Sequence, residues 1–188
     1  MGTTNQPLVI LVLGLPGAGK TTLAKKLSQE LNLPLVIKDD LKVILLNAYG
    51  WKDRETSIQA GGASYKLMDY FIEGQIRQGN SLIVESTLDP KYDDARFQAW
   101  QETYGVRYVQ VYCYADADII RRRFRERAGG DSRHVSYTEG EAGLENLERY
   151  IQQGFNPLNI DSKIIKVDTT DFSKVDEAGI IEQIRSVS

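Results

Sequence analysis

The chain has one cysteine, one histidine and two tryptophans among its 188 residues. A single cysteine excludes an intramolecular disulfide. Its setting in Val109-Gln-Val-Tyr-Cys-Tyr reads as a buried strand thiol at Cys113 rather than a nucleophile. His134 stands in a polar stretch and reads as a surface residue rather than a catalytic one. No apolar run approaches the ~20 residues that span a bilayer, and the first residues lack the basic start of a signal peptide. A cytosolic protein without a membrane contact is therefore expected. A large excess of either charge is lacking too: the net charge of −3 offers no global attraction to nucleic acid, and leaves only a local basic patch for such a role. With 41% hydrophobic residues the chain is long enough for one domain with a real core, 1–188, and too short for two nucleotide-binding units.

The most informative segment is Gly14-Leu-Pro-Gly-Ala-Gly-Lys-Thr, a complete G-x-x-x-x-G-K-[ST] phosphate loop directly after the apolar run Leu8 to Leu13. Gly14, Pro16, Gly17, Ala18, Gly19, Lys20, Thr21 and Thr22 form the expected nucleotide-binding set. The glycines let backbone N–H groups turn inward, and the helix that follows begins at the phosphates with its positive dipole end. Lys20 reaches the β- and γ-phosphates, and the Thr21 hydroxyl ligates Mg²⁺. Leu23, Ala24, Leu27 and Leu31 recur at helical spacing after the loop, with Lys25, Lys26, Gln29 and Glu30 on the other face. ATP and Mg²⁺ are the expected cofactors.

Further strand-like runs lie at Pro34 to Lys38, Ser81 to Glu85, Val106 to Tyr114 and Lys163 to Val167. Helical patterns separate them. One carries Leu67, Met68, Phe71, Ile72 and Ile76 and stops near Gly79; one after Pro90 carries Phe97, Trp100 and Tyr104 before Gly105; one carries Ile119, Ile120 and Phe124; a last runs from about Val175 to Ile184. Short strands alternating with helices imply an α/β fold, a five-stranded parallel sheet with helices on both faces. Ligands then bind outside the carboxyl ends of the strands, where acids should be sought.

Lys38-Asp39-Asp40-Leu41-Lys42 follows the second strand. Either aspartate fits the base that orients an acceptor hydroxyl and takes its proton, and either fits the N-cap of a helix continued by Leu41, Ile44 and Leu45. Glu85 ends the third strand, where an acid can hold a Mg²⁺-bound water or serve a structural role. Ser86 and Thr87 fit an acceptor pocket as well as a turn into Asp89-Pro90. Residues between Tyr49 and Ala60 read as a connection beside the donor site, with Trp51 stacking on an acceptor or packing.

Five arginines fall between Arg121 and Arg127. At 100° per residue, with Ile120 and Phe124 inward, Arg122 and Arg125 point away while Arg123 and Arg127 flank the buried side. Arg123 and Arg127 are thus the candidates to stabilise charge on a transferring phosphoryl group, with nucleic-acid contact the rival use. The polar stretch after Ala128 reads as a closing lid, about 127–140, that carries Arg133 into the site.

In this order the phosphate loop, the acid pair, Ile83-Val-Glu-Ser-Thr-Leu-Asp-Pro and the arginine helix resemble the P-loop kinase group related to polynucleotide 5′-hydroxyl kinase. Gluconate kinase, chloramphenicol phosphotransferase and zeta toxin are similar at greater distance. The resemblance implies a three-layer P-loop NTPase sandwich of strand order 2-3-1-4-5, Mg-ATP as donor, Asp39 as general base with Asp40 its neighbour, and Arg123 and Arg127 as lid arginines. Lys42 stands where the polynucleotide kinase has an arginine for the acceptor's phosphate, and Glu85 where it has an aspartate. Both departures touch acceptor recognition, since lysine meets a phosphate without a bidentate fork.

The expected activity is therefore ATP-dependent transfer of the γ-phosphoryl group to a hydroxyl of a small-molecule or nucleotide acceptor, with Asp40, Lys42, Ser86 and Arg133 at the acceptor. A polynucleotide 5′-hydroxyl kinase differs only in acceptor. A nucleotide-dependent switch or ATPase is the rival class; an N-K-x-D base-recognition motif is missing, and the chain is short for an AAA-type ATPase with an added helical domain.

Overall fold

The computed structural model describes residues 6–50, 52–128 and 140–187, with the backbone alone at 127, 128 and 140–142. β1 (Leu8–Leu13) leads through the phosphate loop into α1 (Lys20–Leu31), then β2 (Leu35–Ile37), α2 (Lys38–Tyr49) and α3 (Arg54–Arg77). β3 (Leu82–Glu85), α4 (Pro90–Tyr104), β4 (Arg107–Tyr114), α5 (Ala117–Ala128), α6 (Gly140–Gln153), β5 (Ser162–Asp168) and α7 (Glu177–Arg185) follow. The strands form one five-stranded parallel sheet of order β2-β3-β1-β4-β5.

The sheet is parallel because every connection carries a helix that covers a face. Leu8, Ile10 and Val12 of β1 point to one side, against Leu23, Ala24 and Leu27 of α1 and Ile180 and Ile184 of α7. Val9, Leu11 and Leu13 point to the other, against Met68, Ile72 and Ile76 of α3 and Phe97 and Trp100 of α4. Burying β1 on both faces explains its unbroken apolar run, each full burial contributing about 1.5–3 kcal/mol. Cys113 lies in the first of these clusters, and burial pushes its thiol up to about 12, which leaves it an inert core residue.

Helix ends follow local chemistry. Asp89 caps α4 by accepting from the Lys91 N–H at 2.9 Å, with Pro90 in the first turn, and Gly105 ends it at φ 65°. Asp53 caps α3 through the Thr56 N–H at 2.8 Å. That cap corrects one expectation: 54–60 are the first turns of α3, and the connection from α2 is only Gly50 to Asp53. A second correction concerns α3 itself. Leu67 and Phe71 are on its exposed side, as is Ile44 on α2, because Met68, Ile72 and Ile76 make up the face of α3 that packs in the core. α6 was not anticipated. Its Leu147 packs with Ile120 of α5 and with Leu15 of the phosphate loop, and Arg121 clamps it through Glu148 at 2.7 and 2.8 Å.

Candidate active site

The phosphate loop is shaped from below by the neighbouring strands. Gly14 has φ 142°, and a Cβ there would stand 2.2 Å from the Cys113 carbonyl oxygen, so no side chain fits where β1 turns beside β4. Replacing Gly14 by alanine is expected to cost on the order of 2 kcal/mol or more, read as a lowered urea midpoint with an unchanged slope. Gly19, at φ 73°, is the N-cap of α1 and supplies no side-chain cap, and the first turn holds no acid. The N–H groups that begin α1 thus face the loop without competition from a carboxylate, the condition for binding an anion there.

Lys20 is 8% exposed and reaches the Leu15 carbonyl at 3.1 Å and Glu85 Oε1 at 3.7 Å. Thr21 Oγ1 donates to Glu85 Oε2 at 2.9 Å. Glu85 is brought there by register: it pairs with Val12 of β1 on one side and Ile37 of β2 on the other. Burial pushes its carboxyl above the usual range, opposed by the Lys20 ammonium and the Thr21 hydroxyl. A buried carboxylate beside a threonine hydroxyl is a set of hard oxygen donors, and it suits Mg²⁺ that also keeps waters and phosphate oxygens. Among the described residues no cluster of three or more His, Cys, Asp or Glu exists to hold a metal alone.

Asp39 and Asp40 stand in the first turn of α2, whose N-cap is Ile37 with no side-chain cap bond. Neither acid caps the helix, because the strand runs into it without an intervening turn. Asp39 is half-exposed and pairs with Lys38 Nζ at 2.8 Å. Desolvation would raise its carboxyl, but the Lys38 ammonium, with help from Lys20 and Lys42, holds it below the usual range. Asp40 is exposed, Lys42 is half-buried, and Ser86 is buried at the end of β3.

Arg123 is tied to the backbone of the phosphate loop and of the segment after β5. Its guanidinium donates to the carbonyls of Thr169 at 2.7 Å, Thr170 at 3.2 Å and Gly17 at 3.4 Å, tying the loop to the end of β5. Thr169, which the sequence reading passed over, completes that tie: its hydroxyl donates to the Ala18 carbonyl at 3.0 Å or the Tyr114 carbonyl at 2.9 Å. Its place directly after a strand's carboxyl end was the available signal. Arg122 pairs with Glu126 at 3.7 Å on the exposed side. The Arg127 side chain, Arg133, His134, Trp51 and the lid stretch 129–139 lie outside the described residues.

A cleft of about 350 Å³ opens beside the β3–α4 turn, lined among others by Thr87, Asp89, Lys91, Tyr150, Gln153 and Asn156. Thr87 is also part of the site floor, since its Oγ1 donates to the Gly14 carbonyl at 3.2 Å. No helix among the described residues is long and apolar enough to cross a membrane.

A family model described as AAA domain matches residues 9–151. A protein of Chloroflexus aurantiacus J-10-fl, provisionally described as a kinase, superposes with a TM-score of 0.90 at 29% identity over 97% of this chain and 99% of that one. A sugar kinase of Janibacter sp. HTCC2649 gives 0.58 at 16% over 97% and 94%, and a gluconokinase of Sinorhizobium meliloti 1021 gives 0.54 at 13% over 97% and 91%. The last two likenesses are of fold. No curated protein matches the chain.

Proposed function

The chain belongs to the AAA domain family, and within it we propose an ATP-dependent kinase that transfers the γ-phosphoryl group to a hydroxyl of a small-molecule or nucleotide acceptor. One observation carries this reading. Glu85 sits between the phosphate loop, through Thr21 and Lys20, and the strand whose next turn bears Asp39. Donor-side and acceptor-side groups are thus adjacent across a single strand.

In the reaction the acceptor oxygen attacks the γ-phosphorus, the bond to the β,γ-bridging oxygen breaks, ADP leaves, and the hydroxyl proton passes to Asp39. Asp39 suits that role because it is ionised and partly open to solvent, whereas Glu85 is buried and engaged by Thr21. Thr21 and Glu85 would hold Mg²⁺, which when bound neutralises charge on the β- and γ-phosphates. Lys20 and the first N–H groups of α1 bind the same phosphates. Arg123 contributes by holding the loop in shape from β5, and Arg127 and Arg133 by approaching from a lid at about 127–140 within a single domain. Asp40, Lys42 and Ser86 would border the acceptor. The cleft at Thr87 to Lys91 and α6 suits a compact polar acceptor, because it mixes amide, hydroxyl and ammonium groups with the Tyr150 and Phe155 rings. A cytoplasmic setting, with its ATP supply, accords with this activity.

The decisive experiment offers γ-labelled ATP with oligonucleotides, nucleosides, sugars, aminocyclitols and phenylpropanoid antibiotics, using Lys20→Ala as the blank. An acceptor labelled only by the intact protein is the expected result. Label on an oligonucleotide 5′ end would redirect the reading to a polynucleotide kinase. ADP release equal with and without every acceptor would replace it by an ATPase.

A further inference from the structure

Lys38 and Tyr65 have no part in the transfer described above, yet they connect Asp39 to the phosphate loop. The Lys38 side chain is only 16% exposed, with Nζ 2.8 Å from Asp39 Oδ1 and 5.0 Å from the centre of the Tyr65 ring. The Tyr65 hydroxyl donates to the Thr87 carbonyl at 3.0 Å, and Thr87 Oγ1 donates to the carbonyl of Gly14, the first residue of the loop. Gly14 lies where a Cβ would meet the Cys113 carbonyl of β4, so the loop starts close beside that strand. The contacts therefore run unbroken from the acid on α2, across α3 and the β3–α4 turn, to the loop that holds the donor.

From this geometry we infer that Lys38 and Tyr65 are positioning residues: a strut that sets the Asp39 carboxylate relative to the phosphate loop before the acceptor arrives. The inference rests on the kinase reading for its purpose and on the contacts alone for its existence. The Lys38 contact narrows the rotamers open to a half-exposed aspartate, and a base that strays by an ångström loses much of its effect. A lysine is a flexible tether by itself. The aromatic face beneath Lys38 confines the ammonium, and the hydroxyl-to-carbonyl bond confines the ring. The ammonium also lowers the proton affinity of the base it aims, so the arrangement favours placement and ionisation over basic strength.

Three variants test this: Lys38→Met, Lys38→Arg and the near-isosteric Tyr65→Phe. The first measurement needs no turnover. Three-bond N–Cγ and C′–Cγ couplings report the Asp39 χ1 populations in the protein without nucleotide. One dominant rotamer is expected in the wild type and Lys38→Arg, and averaged couplings in Lys38→Met. The second measurement is phosphoryl transfer: kcat is expected to fall about tenfold or more in Lys38→Met and about threefold in Tyr65→Phe, with KM for ATP within about twofold and most of the rate recovered in Lys38→Arg. A single Asp39 rotamer persisting in Lys38→Met overturns the strut, as does a raised KM for ATP at unchanged kcat. If the wild type phosphorylates no acceptor, the kinase reading falls while the couplings still decide the strut. Should Lys38→Met fail to fold, Tyr65→Phe decides by the same couplings and rates: wild-type values for both overturn the proposal.

Discussion

Lys20→Ala is expected to lower kcat/KM for phosphoryl transfer by about three orders of magnitude, roughly 4 kcal/mol of transition-state stabilisation. The ammonium is buried at the head of α1, held by the Leu15 carbonyl at 3.1 Å and facing Glu85 at 3.7 Å. Such a charge needs no reorganisation when negative charge moves onto the bridging oxygen, and that is why its loss is costly in rate. Alanine also leaves the Glu85 carboxylate buried without its cation, so some loss of folding stability is expected in addition. Lys20→Met separates the two effects, since it retains the packing of the stem. Steady-state ADP production with the acceptor found in the transfer screen gives the rate, and ADP titration gives binding. Activity within tenfold of wild type in both variants would remove Lys20 from the transition state.

Asp39→Asn is expected to reduce kcat by about 10²- to 10⁴-fold while KM for ATP changes little, the pattern of a group that acts on the acceptor proton and not on donor binding. Asparagine keeps the shape and loses the charge, so Lys38 loses its paired carboxylate while α2 retains its start. Asp40→Asn is the companion measurement. Asp40 is exposed and two positions into the same helical turn, and its substitution is expected to cost a few-fold at most. A large loss on Asp40→Asn with a mild one on Asp39→Asn would move the base to Asp40.

Much of the scaffold was legible because the interactions that create it are periodic. β1 was read at its observed bounds, Leu8 to Leu13, since a strand buried on both faces between turn residues leaves an unbroken apolar run. The other strands differ by one residue at one or both ends, where hydrogen bonding and not hydrophobicity sets the limit. α6 was missed although Leu147, Tyr150 and Ile151 are spaced for a helix. Its apolar face is short, and although Ile120 and Phe124 read as inward on the arginine helix, periodicity did not name α6 as the element that covers them. Ile44, Leu67 and Phe71 show the opposite error, since periodicity says that a residue shares a face but not that a neighbour covers it.

At the candidate site the same division has a chemical form. The phosphate loop from Gly14 to Thr21 could be recognised from the chain because its function depends on consecutive residues: glycines for the turn, a lysine and a threonine at the head of one helix. The resemblance also implied the strand order, and with it the nearness of Glu85 to the loop. Partners far apart in the chain came only with the folded sheet. Arg123 reaches Thr169 across 46 positions, and Tyr65 grips Thr87 while shielding Lys38. Those contacts cost loop closure and are made only when the strands are in register, so no local pattern encodes them. Backbone carbonyls, invisible in any list of side chains, are what Arg123 holds, tying the phosphate loop to the end of β5.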